Sequence, residues 1–578
     1  MSASSPSVAN ERMKTLILSI FAFGLATVLP AGVIPQPREL VFHDGTYPAP
    51  ADFFDKVPEG WSRDASLPSE GYALEVSSNG VRIAAADEAG AFYALETLKQ
   101  LAPVNARGLS HRQVLELRRY VCAETSLNSH IDRKTVEMVE AIRGSYRGDT
   151  WAIPCCTIRD WPVYRWRALM LDEGRHFFGK EYVLSLLDRM AQHKLNVFHW
   201  HLTEDQGWRL DLPGLHELVE YGAKRPRSVA YRTPVAYPNG FDEPSTYFEN
   251  NEPYGPYYYT VEDVKEILTF AKARHIRVMP EIEFPGHARA LLAAHPEFSC
   301  LGESIGRTPR TTWGVEKDVI CAANEDAVRY LERVLDAVCD LFPDSDVIHI
   351  GGDECFCERW KTCPKCQALK AKEGFATERD LQSRLTLHFA DYLKKKGRKI
   401  MGWDGLLTGK PLDAKTTLVH FRMPRPGCRV KNAAGAAELG HDIALIKTEY
   451  AYFDMGQGLD EDPYYYRPWS KSVRLDAVYA CDPANGIPAG ILHHVMGAEA
   501  TLWTEYVFDR RDAEWKTWPR ACALAEALWC GRAKPGYEDF CARLAPHRRR
   551  MIREGLNVAP PPGGQTTSFL DANGGYRP

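Results

Sequence analysis

The most constraining feature of this sequence is a series of eight short apolar runs, separated by longer stretches with helical periodicity, between residues 165 and 502. Alternating strand and helix patterns are typical of repeated βα units, which build a parallel sheet. Eight such units close into a barrel, so we predict an α/β fold of the (β/α)8 TIM-barrel type, with its active site at the carboxyl ends of the strands. The predicted strands are 168–171, 197–202, 277–282, 347–350, 399–403, 417–421, 443–446 and 495–502.

The segments on either side of the predicted barrel have patterns of their own. Residues 33–158 contain short alternating segments and a helical stretch at 88–101, which predict a small α+β accessory domain. We assign residues 159–535 to the catalytic barrel and residues 536–578 to a C-terminal helix and flexible tail. A chain of 578 residues is long enough to build both domains.

The N-terminus has the order of a secretory signal peptide. Lys14 precedes an apolar run at 15–29 and small residues at 30–32, so residues 1–32 are predicted to direct export to the periplasm, the outer surface or the medium. No later stretch reaches the roughly 18 apolar residues of a membrane span. A net charge of -5 gives no field that attracts nucleic acid. We therefore expect a neutral partner, and the sequence leaves the oligomeric state open.

The sharpest local pattern is the apolar run 347–350, which leads into Gly351-Gly352 and then Asp353-Glu354. Adjacent acids can share one site only where a strand ends and the chain bends. Glycosidic cleavage needs an acid to protonate the leaving oxygen and a negative partner for the positively charged centre. Neighbouring carboxylates raise each other's pKa, which favours one protonated member. We predict that Glu354 is the general acid and then the base.

The 15 cysteines are an odd number, and export permits disulfides. Cys300 and Cys321 flank a loop rich in Gly, Arg and Thr, and we predict a disulfide between them. Four further cysteines have the spacing C-x-C-x5-C-x2-C, which suits zinc, a disulfide or neither. We expect this set to serve structure and not chemistry: Cys355, Cys357, Cys363 and Cys366.

These motifs, taken in order, resemble those of the family-20 glycoside hydrolases, the β-N-acetylhexosaminidases. The resemblance covers nearly the whole chain after the signal region, and residues 71–74 and 89–95 resemble the small domain that precedes the barrel in that family. The matching barrel segments are 167–177, 199–209, 281–287, 349–354, 402–404, 452–454 and 502–506.

The resemblance implies an exo-acting, retaining enzyme that removes terminal β-linked GlcNAc or GalNAc from glycans. In that family's substrate-assisted mechanism the 2-acetamido oxygen of the sugar is the nucleophile. Glu354 would protonate the leaving group, Asp353 would accept the acetamido N–H, and Tyr452 would orient the acetamido oxygen. Phe421 stands near a position where the family often has another pocket tryptophan, so the acetamido pocket is expected to differ there.

The resemblance also implies a set of residues around the reacting centre. Asp205 and His287 would form a chain of groups that orients the acid. No cofactor and no metal ion are expected in the catalytic site. The expected substrate-binding residues, which hold the ring hydroxyls or wall the sugar, are Arg167, Trp403, Asp454, Trp503 and Glu505.

Three alternatives remain open at this point. A carbohydrate-binding barrel without turnover has the same fold, because function resides in the site. A glycosidase with two enzymatic carboxylates requires a nucleophile roughly 5–5.5 Å from Glu354. A lacto-N-biosidase-like glycosidase is the third. The sequence does not distinguish GlcNAc from GalNAc or identify the natural glycan.

Overall fold

The computed structural model describes residues 32–50, 53–54, 60–102, 150–229, 249–250, 252–422, 430–458 and 472–560. The predicted signal region before residue 32 and the predicted tail after residue 560 lie outside these ranges. Within these ranges, helices that combine the length and the apolar character needed to cross a membrane do not occur.

The accessory domain is a five-stranded sheet with one helix, Glu88–Leu101. The sheet has the order β1-β5-β3-β4-β2, with antiparallel pairing except between β2 and β4. Asp87 begins the helix, since its side chain accepts a hydrogen bond from the Gly90 amide at 2.9 Å. The predicted α+β architecture is confirmed. The strands are β1 Glu39–Pro50, β2 Ser62–Arg63, β3 Tyr72–Ser77, β4 Gly80–Ala85 and β5 Thr150–Asp160.

The second domain is the predicted parallel barrel, closed by eight strands in the order β12-β13-β14-β15-β16-β17-β6-β7. All seven residues of β6 and all eight of β17 are buried, as expected for strands covered on both faces. Each of the eight apolar runs found in the sequence forms one barrel strand. The barrel strands are β6 Trp166–Asp172, β7 Val197–His201, β12 Arg277–Glu281, β13 Val347–His349, β14 Lys399–Trp403, β15 Thr417–Phe421, β16 Ile443–Leu445 and β17 Val495–Leu502.

Helices surround the barrel, and two short hairpin-like pairs lie in the loops after β7. These pairs are β8 Thr203–Glu204 with β9 Gly207–Trp208, and β10 Ser228–Val229 with β11 Glu249–Asn250. The α-helices after the accessory domain are Lys180–Gln192, Glu217–Gly222, Val261–Lys272, Arg289–Ala294, Glu325–Leu341, Glu358–Thr362, Pro364–Lys372, Arg379–Lys395, Ala433–Glu438, Thr448–Ala451, Leu475–Tyr479, Arg510–Thr517, Arg520–Cys530 and Tyr537–Arg553.

Candidate active site

The Asp353-Glu354 pair lies just beyond the carboxyl end of β13, where two glycines turn the chain. Gly351 and Gly352 have φ values of +64° and +89°, which side chains other than glycine rarely adopt. A Cβ at Gly351 would also overlap the carboxylate of Glu283. Glu354 itself has φ +44°, an uncommon value for a residue with a side chain. The bend places both acids at the same edge of the barrel.

The two acids have different surroundings. Asp353 is 5% exposed, and its Oδ2 accepts a hydrogen bond from Arg422 Nη2 at 2.7 Å. Among the described residues, none donates a hydrogen bond to the buried Oδ1 of Asp353. The side chain of Glu354, by contrast, is 32% exposed. Asp353 is therefore buried beside a cation, with one carboxylate oxygen still able to accept a hydrogen bond. Glu354 is partly exposed to solvent.

Arg422 was not identified from the sequence. It follows Phe421 at the end of β15, and its Nε lies 3.2 Å from Asp404 Oδ1. Its guanidinium stacks over the Trp403 ring, 4.7 Å from the centroid. Burial alone would lower the pKa of Arg422, but the charge of Asp353 raises it well above the ordinary value. The departure from the family pattern at Phe421 was the available signal that this side of the pocket differs.

His287 connects the acids to the loop after β7. Its Nδ1 lies 2.8 Å from Glu204 Oε1 and 3.4 Å from Asp205 Oδ2, while its Nε2 lies 3.6 Å from Glu354 Oε2. Burial opposes the charged imidazolium, but the negative charge of Glu204 raises the pKa of His287 well above its usual range. A charged His287 carries an N–H on each ring nitrogen, one toward Glu204 and the other toward Glu354.

Glu204 is a second residue that the sequence analysis did not single out, although it lies in the matching segment 199–209 next to Asp205. It makes the shorter contact with His287, whereas Asp205 also accepts hydrogen bonds from the backbone of Arg289 at 3.1 Å and Glu316 at 3.2 Å. Asp205 therefore anchors the start of the helix Arg289–Ala294 and the loop at Glu316, as well as contacting the histidine. Adjacent acids with different partners are not distinguishable by spacing alone.

Tyr452 and the two tryptophans lie on the neighbouring strand ends. Tyr452 follows the helix Thr448–Ala451 and pairs with Thr501 of β17. Burial raises the pKa of Tyr452 above its ordinary value, so the phenol keeps its proton. The Trp403 and Trp503 rings lie 5.6 Å apart, and Trp403 Nε1 donates to Glu281 at 2.9 Å. The structure therefore brings both tryptophans together.

Several histidines and glutamates lie deeper in the barrel, where they bind each other. His199 Nδ1 is 2.7 Å from Glu499 Oε1, and His349 Nδ1 is 2.7 Å from Glu281 Oε1. His199, Glu281 and His349 also lie close enough to share a metal ion. All three are fully buried and already have one another or Glu499 as polar partners below the acids, which accounts for their clustering without an ion.

A family model for the catalytic domain of glycosyl hydrolase family 20 matches residues 164–532 of this chain, and one for domain 2 of that family matches residues 55–161. The chain belongs to glycosyl hydrolase family 20.

The family 20 chain is similar to curated bacterial proteins. It is 34% identical over 516 residues to a "Beta-hexosaminidase" of Porphyromonas gingivalis, covering 87% of this chain and 57% of that relative. It is 29% identical over 488 residues to a "Beta-hexosaminidase" of Akkermansia muciniphila, covering 84% of this chain and 85% of that relative. The chain thus spans a little over half of the first relative and most of the second.

Solved family 20 structures have the same fold. A GH20 exo β-N-acetylglucosaminidase from Vibrio harveyi, in complex with N-acetylglucosamine, matches with a TM-score of 0.72 and 25% identity, covering 92% of this chain and 80% of that one. The GH20 β-N-acetylhexosaminidase of Streptomyces coelicolor matches with a TM-score of 0.69 and 25% identity, covering 92% of this chain and 98% of that one.

The structure does not bring Arg167 to the site of this family 20 chain, which corrects the role expected for it. Arg167 is the second residue of β6, at the amino end of the barrel, and it is fully buried. Its Nη1 and Nη2 bind the Glu70 carboxylate at 2.8 and 3.1 Å, and its Nε donates to the Lys194 carbonyl at 2.7 Å. These partners occupy the guanidinium far from the strand's carboxyl end.

Arg175, and not the expected Arg167, is the arginine of this segment that lies on the side of the candidate site. It follows the carboxyl end of β6 and stacks over the Trp503 ring, 5.1 Å from the centroid. Its Nη1 and Nη2 each lie 3.2 Å from carboxylate oxygens of Asp172 and Glu204. Burial opposes its charge, but these acids, and then Glu505, raise the pKa of Arg175 well above the ordinary value. The rule that barrel sites form at carboxyl strand ends would have favoured Arg175.

The remaining expected residues lie at the same end of the barrel. Asp454 is fully buried, two residues beyond Tyr452, and contributes to the raised pKa of that tyrosine. Glu505 is half-buried after β17 and interacts electrostatically with Arg175. The structure therefore gathers Asp353, Glu354 and Tyr452 with these acids, and Arg167 is the expected residue that it places elsewhere.

Proposed function

We propose that this chain is an exo-acting, retaining β-N-acetylhexosaminidase that releases terminal β-linked GlcNAc or GalNAc from glycans. The observation that carries the proposal is the asymmetry of the two acids. Arg422 holds one oxygen of the buried Asp353, and the other oxygen is left to bind a substrate group. Glu354 is exposed enough to reach a leaving group and has His287 beside it. Membership of family 20 and the names of the relatives support the same activity.

The proposed roles on the acetamido side follow from these contacts. Asp353 Oδ1 accepts the acetamido N–H, and the carboxylate charge stabilises the positive oxazolinium intermediate. The Arg422 guanidinium, 2.7 Å from Oδ2, fixes the orientation of the Asp353 carboxylate. Tyr452 keeps its proton and donates it in a hydrogen bond to the acetamido oxygen, which orients that oxygen for attack on the anomeric carbon.

The proposed roles on the leaving-group side depend on Glu354 and His287. Glu354 gives its proton to the glycosidic oxygen as the carbon–oxygen bond breaks, and the charged His287 stabilises the carboxylate that results. Glu354 then takes a proton from the water that opens the cyclic intermediate. Two displacements at the same carbon retain its configuration, and the enzyme carboxylates form no bond to the sugar.

For the sugar ring, we propose that Arg175, Asp454 and Glu505 bind hydroxyl groups, with Trp503 as an apolar wall. Charged groups give strong hydrogen bonds in a dry pocket. Arg175 and Glu505 interact electrostatically. Arg175 stacks over the Trp503 ring, and Glu505 follows Trp503 by two residues in the sequence. This set replaces the one that included Arg167.

We also propose that the protein is exported, on the basis of Lys14 and the apolar run at 15–29. Sequencing the N-terminus of the protein recovered from its native compartment checks this. A mature protein that retains residues 15–29 contradicts the proposal.

The test of function compares a pair of aryl β-glycosides that differ at C2. The 2-acetamido sugar should be cleaved with retention, whereas the 2-hydroxy sugar should be nearly inert because it lacks the nucleophile. A thiazoline analogue of the cyclic intermediate should bind far more tightly than the product. NMR of the product, inhibition constants and mass spectrometry of quenched enzyme measure these outcomes.

Each alternative gives a different result in this test. A binding barrel cleaves neither sugar, and a two-carboxylate glycosidase forms a glycosyl adduct on Asp or Glu and does not require the acetamido group. A lacto-N-biosidase-like enzyme releases a disaccharide from an oligosaccharide instead of a single sugar. An inverted product or an enzyme-bound glycosyl adduct contradicts the proposed mechanism.

A further inference from the structure

Four cysteine side chains from three separate parts of the sequence meet beside the site. This thiol cluster consists of Cys300, Cys321, Cys363 and Cys366, whose Sγ atoms all lie within 4.8 Å of one another. The Sγ atoms of Cys321 and Cys366 are 3.5 Å apart, and those of Cys300 and Cys366, like those of Cys321 and Cys363, are 3.9 Å apart. Three of the thiols are buried and Cys300 is half-buried.

The cluster corrects the sequence-based pairing. All four cysteines are free thiols, so the predicted disulfide between Cys300 and Cys321 is not formed. The C-x-C-x5-C-x2-C run divides as well, since Cys363 and Cys366 join the cluster while Cys355 and Cys357 do not. The fold therefore brings both cysteines of the predicted disulfide together with half of the C-x-C-x5-C-x2-C run.

The sulfur spacing matches tetrahedral metal coordination. A disulfide joins two sulfurs at about 2.05 Å and leaves a third and fourth sulfur unrelated to them. A tetrahedral zinc ion with Zn–S bonds of about 2.3 Å separates its four sulfurs by roughly 3.8 Å. The three measured distances of 3.5–3.9 Å lie around that value. A C-x2-C pair such as Cys363 and Cys366 is a common half of such sites.

We propose that the thiol cluster binds one Zn²⁺ ion through four thiolates. Binding releases four protons from the four thiols and leaves a site with a net charge of -2. Four protein ligands complete a tetrahedral shell and leave no position for a water or substrate, so the site is structural and not catalytic.

The position of the cluster indicates what the metal does for the structure. Cys300 and Cys321 belong to the segment after β12, which also carries His287, whereas Cys363 and Cys366 belong to the segment after Glu354. Zinc therefore joins the loop that carries the histidine to the loop that carries the acid. The two loops act on each other at Nε2 of His287 and Oε2 of Glu354, 3.6 Å apart.

Two hydrogen bonds link the surroundings of the thiol cluster to the segment that carries His287. The Ile320 amide, next to Cys321, donates to the Pro285 carbonyl at 3.0 Å. Trp360 Nε1, from the helix before Cys363, donates to the Ile320 carbonyl at 3.0 Å. Loss of the metal should therefore reduce stability first and loosen the position of His287 second.

The first experiment measures the metal in the full chain, purified without a metal-binding tag. Elemental analysis should find about one zinc per chain, as expected for one closed tetrahedral site. Cys300→Ser and Cys363→Ser should lose most of the zinc. Cys357→Ser is the matched control, because Cys357 is a buried thiol of the same run outside the cluster, and it should retain zinc.

Two outcomes overturn the proposal. In the first, the protein contains no zinc, and alkylation without reductant shows that the cluster cysteines form disulfides. In the second, zinc is bound but Cys300→Ser and Cys363→Ser do not reduce its amount. Because this readout is metal content, it is independent of which sugar the enzyme cleaves.

The second experiment avoids the risk that a variant fails to fold. The wild-type chain is produced with Co²⁺ in place of zinc, and its absorption spectrum is recorded. A tetrahedral tetrathiolate site should show intense d–d bands and sulfur-to-cobalt charge transfer. Weak octahedral bands, or folded protein without cobalt, contradict the proposal. Displacing zinc with a mercurial reagent should lower the Tm, and a chelator that removes no zinc should leave turnover unchanged.

Discussion

The two ends of the barrel use charge in opposite ways. At the amino end, Arg167 binds Glu70 through two nitrogens, and the buried Lys194 lies 3.0 Å from Asp160 Oδ2. At the carboxyl end, Asp353 has one oxygen on Arg422 and another without a protein donor in the described part of the chain. The paired charges at the amino end link the accessory domain to the barrel. The Asp353 oxygen at the carboxyl end keeps unused hydrogen-bonding capacity and is available to a substrate.

The physical reason is the cost of burying a charge. A buried ion without a partner is expensive, so a purely structural charge is found with its partners already in place. Burial lowers the pKa of Lys194, although the neighbouring Asp160 opposes that shift. A catalytic carboxylate needs the reverse arrangement, with part of its bonding completed by the substrate. The amino end of the barrel therefore serves stability, and the carboxyl end serves function.

The largest expected effect is at Glu354. Glu354→Gln removes the proton donor, so the rate should fall by about 10²–10⁴ for substrates with poor leaving groups. An activated aryl leaving group needs less protonation and should lose less. Steady-state kcat on the two substrate types measures the difference. Equal losses on both, or no loss, contradict the assignment.

A smaller effect is expected at Arg422, which acts through Asp353. A hydrogen bond to a charged group contributes about 1.5–3 kcal/mol, so Arg422→Met should lower kcat by roughly tenfold to a hundredfold. Arg422→Lys keeps the charge and should recover part of the loss. The measurement is kcat and KM for the 2-acetamido substrate, together with Tm.

A merely structural Arg422 gives a different pattern. In that case both variants lower the Tm while kcat and the binding of the thiazoline analogue stay at the wild-type level. Asp353→Asn provides the comparison, because Arg422→Met should add little further loss in that background if the arginine acts through the aspartate.

The smallest effect on rate is expected at Arg167, and it is tested by making the same Arg→Lys change at Arg167 and at Arg175. Arg167→Lys loses the two-nitrogen contact with Glu70 and should cost roughly 1–3 kcal/mol of unfolding free energy, with kcat/KM unchanged. Arg175→Lys should lower kcat/KM. Denaturant unfolding and kinetics on both variants decide the point. A fall in kcat/KM for Arg167→Lys without lost stability would falsify the division between the two ends.

Much of the fold was predictable because it depends on local patterns. The eight apolar runs became eight strands, and the glycines before Asp353 marked a bend that their positive φ values require. The contacts between distant segments were not predictable. The pairing of Arg422 with Asp353 joins residues 69 positions apart, and nothing in the spacing of either residue indicates it.

The sequence by itself determined the barrel, the accessory domain and the strand-end acids, because strand periodicity and glycine conformation are properties of neighbouring residues. Only the tertiary structure decided which arginine pairs with Asp353, which acid contacts His287 and which four cysteines meet. These outcomes depend on distances between separate strands and loops, and those distances are set when the barrel closes.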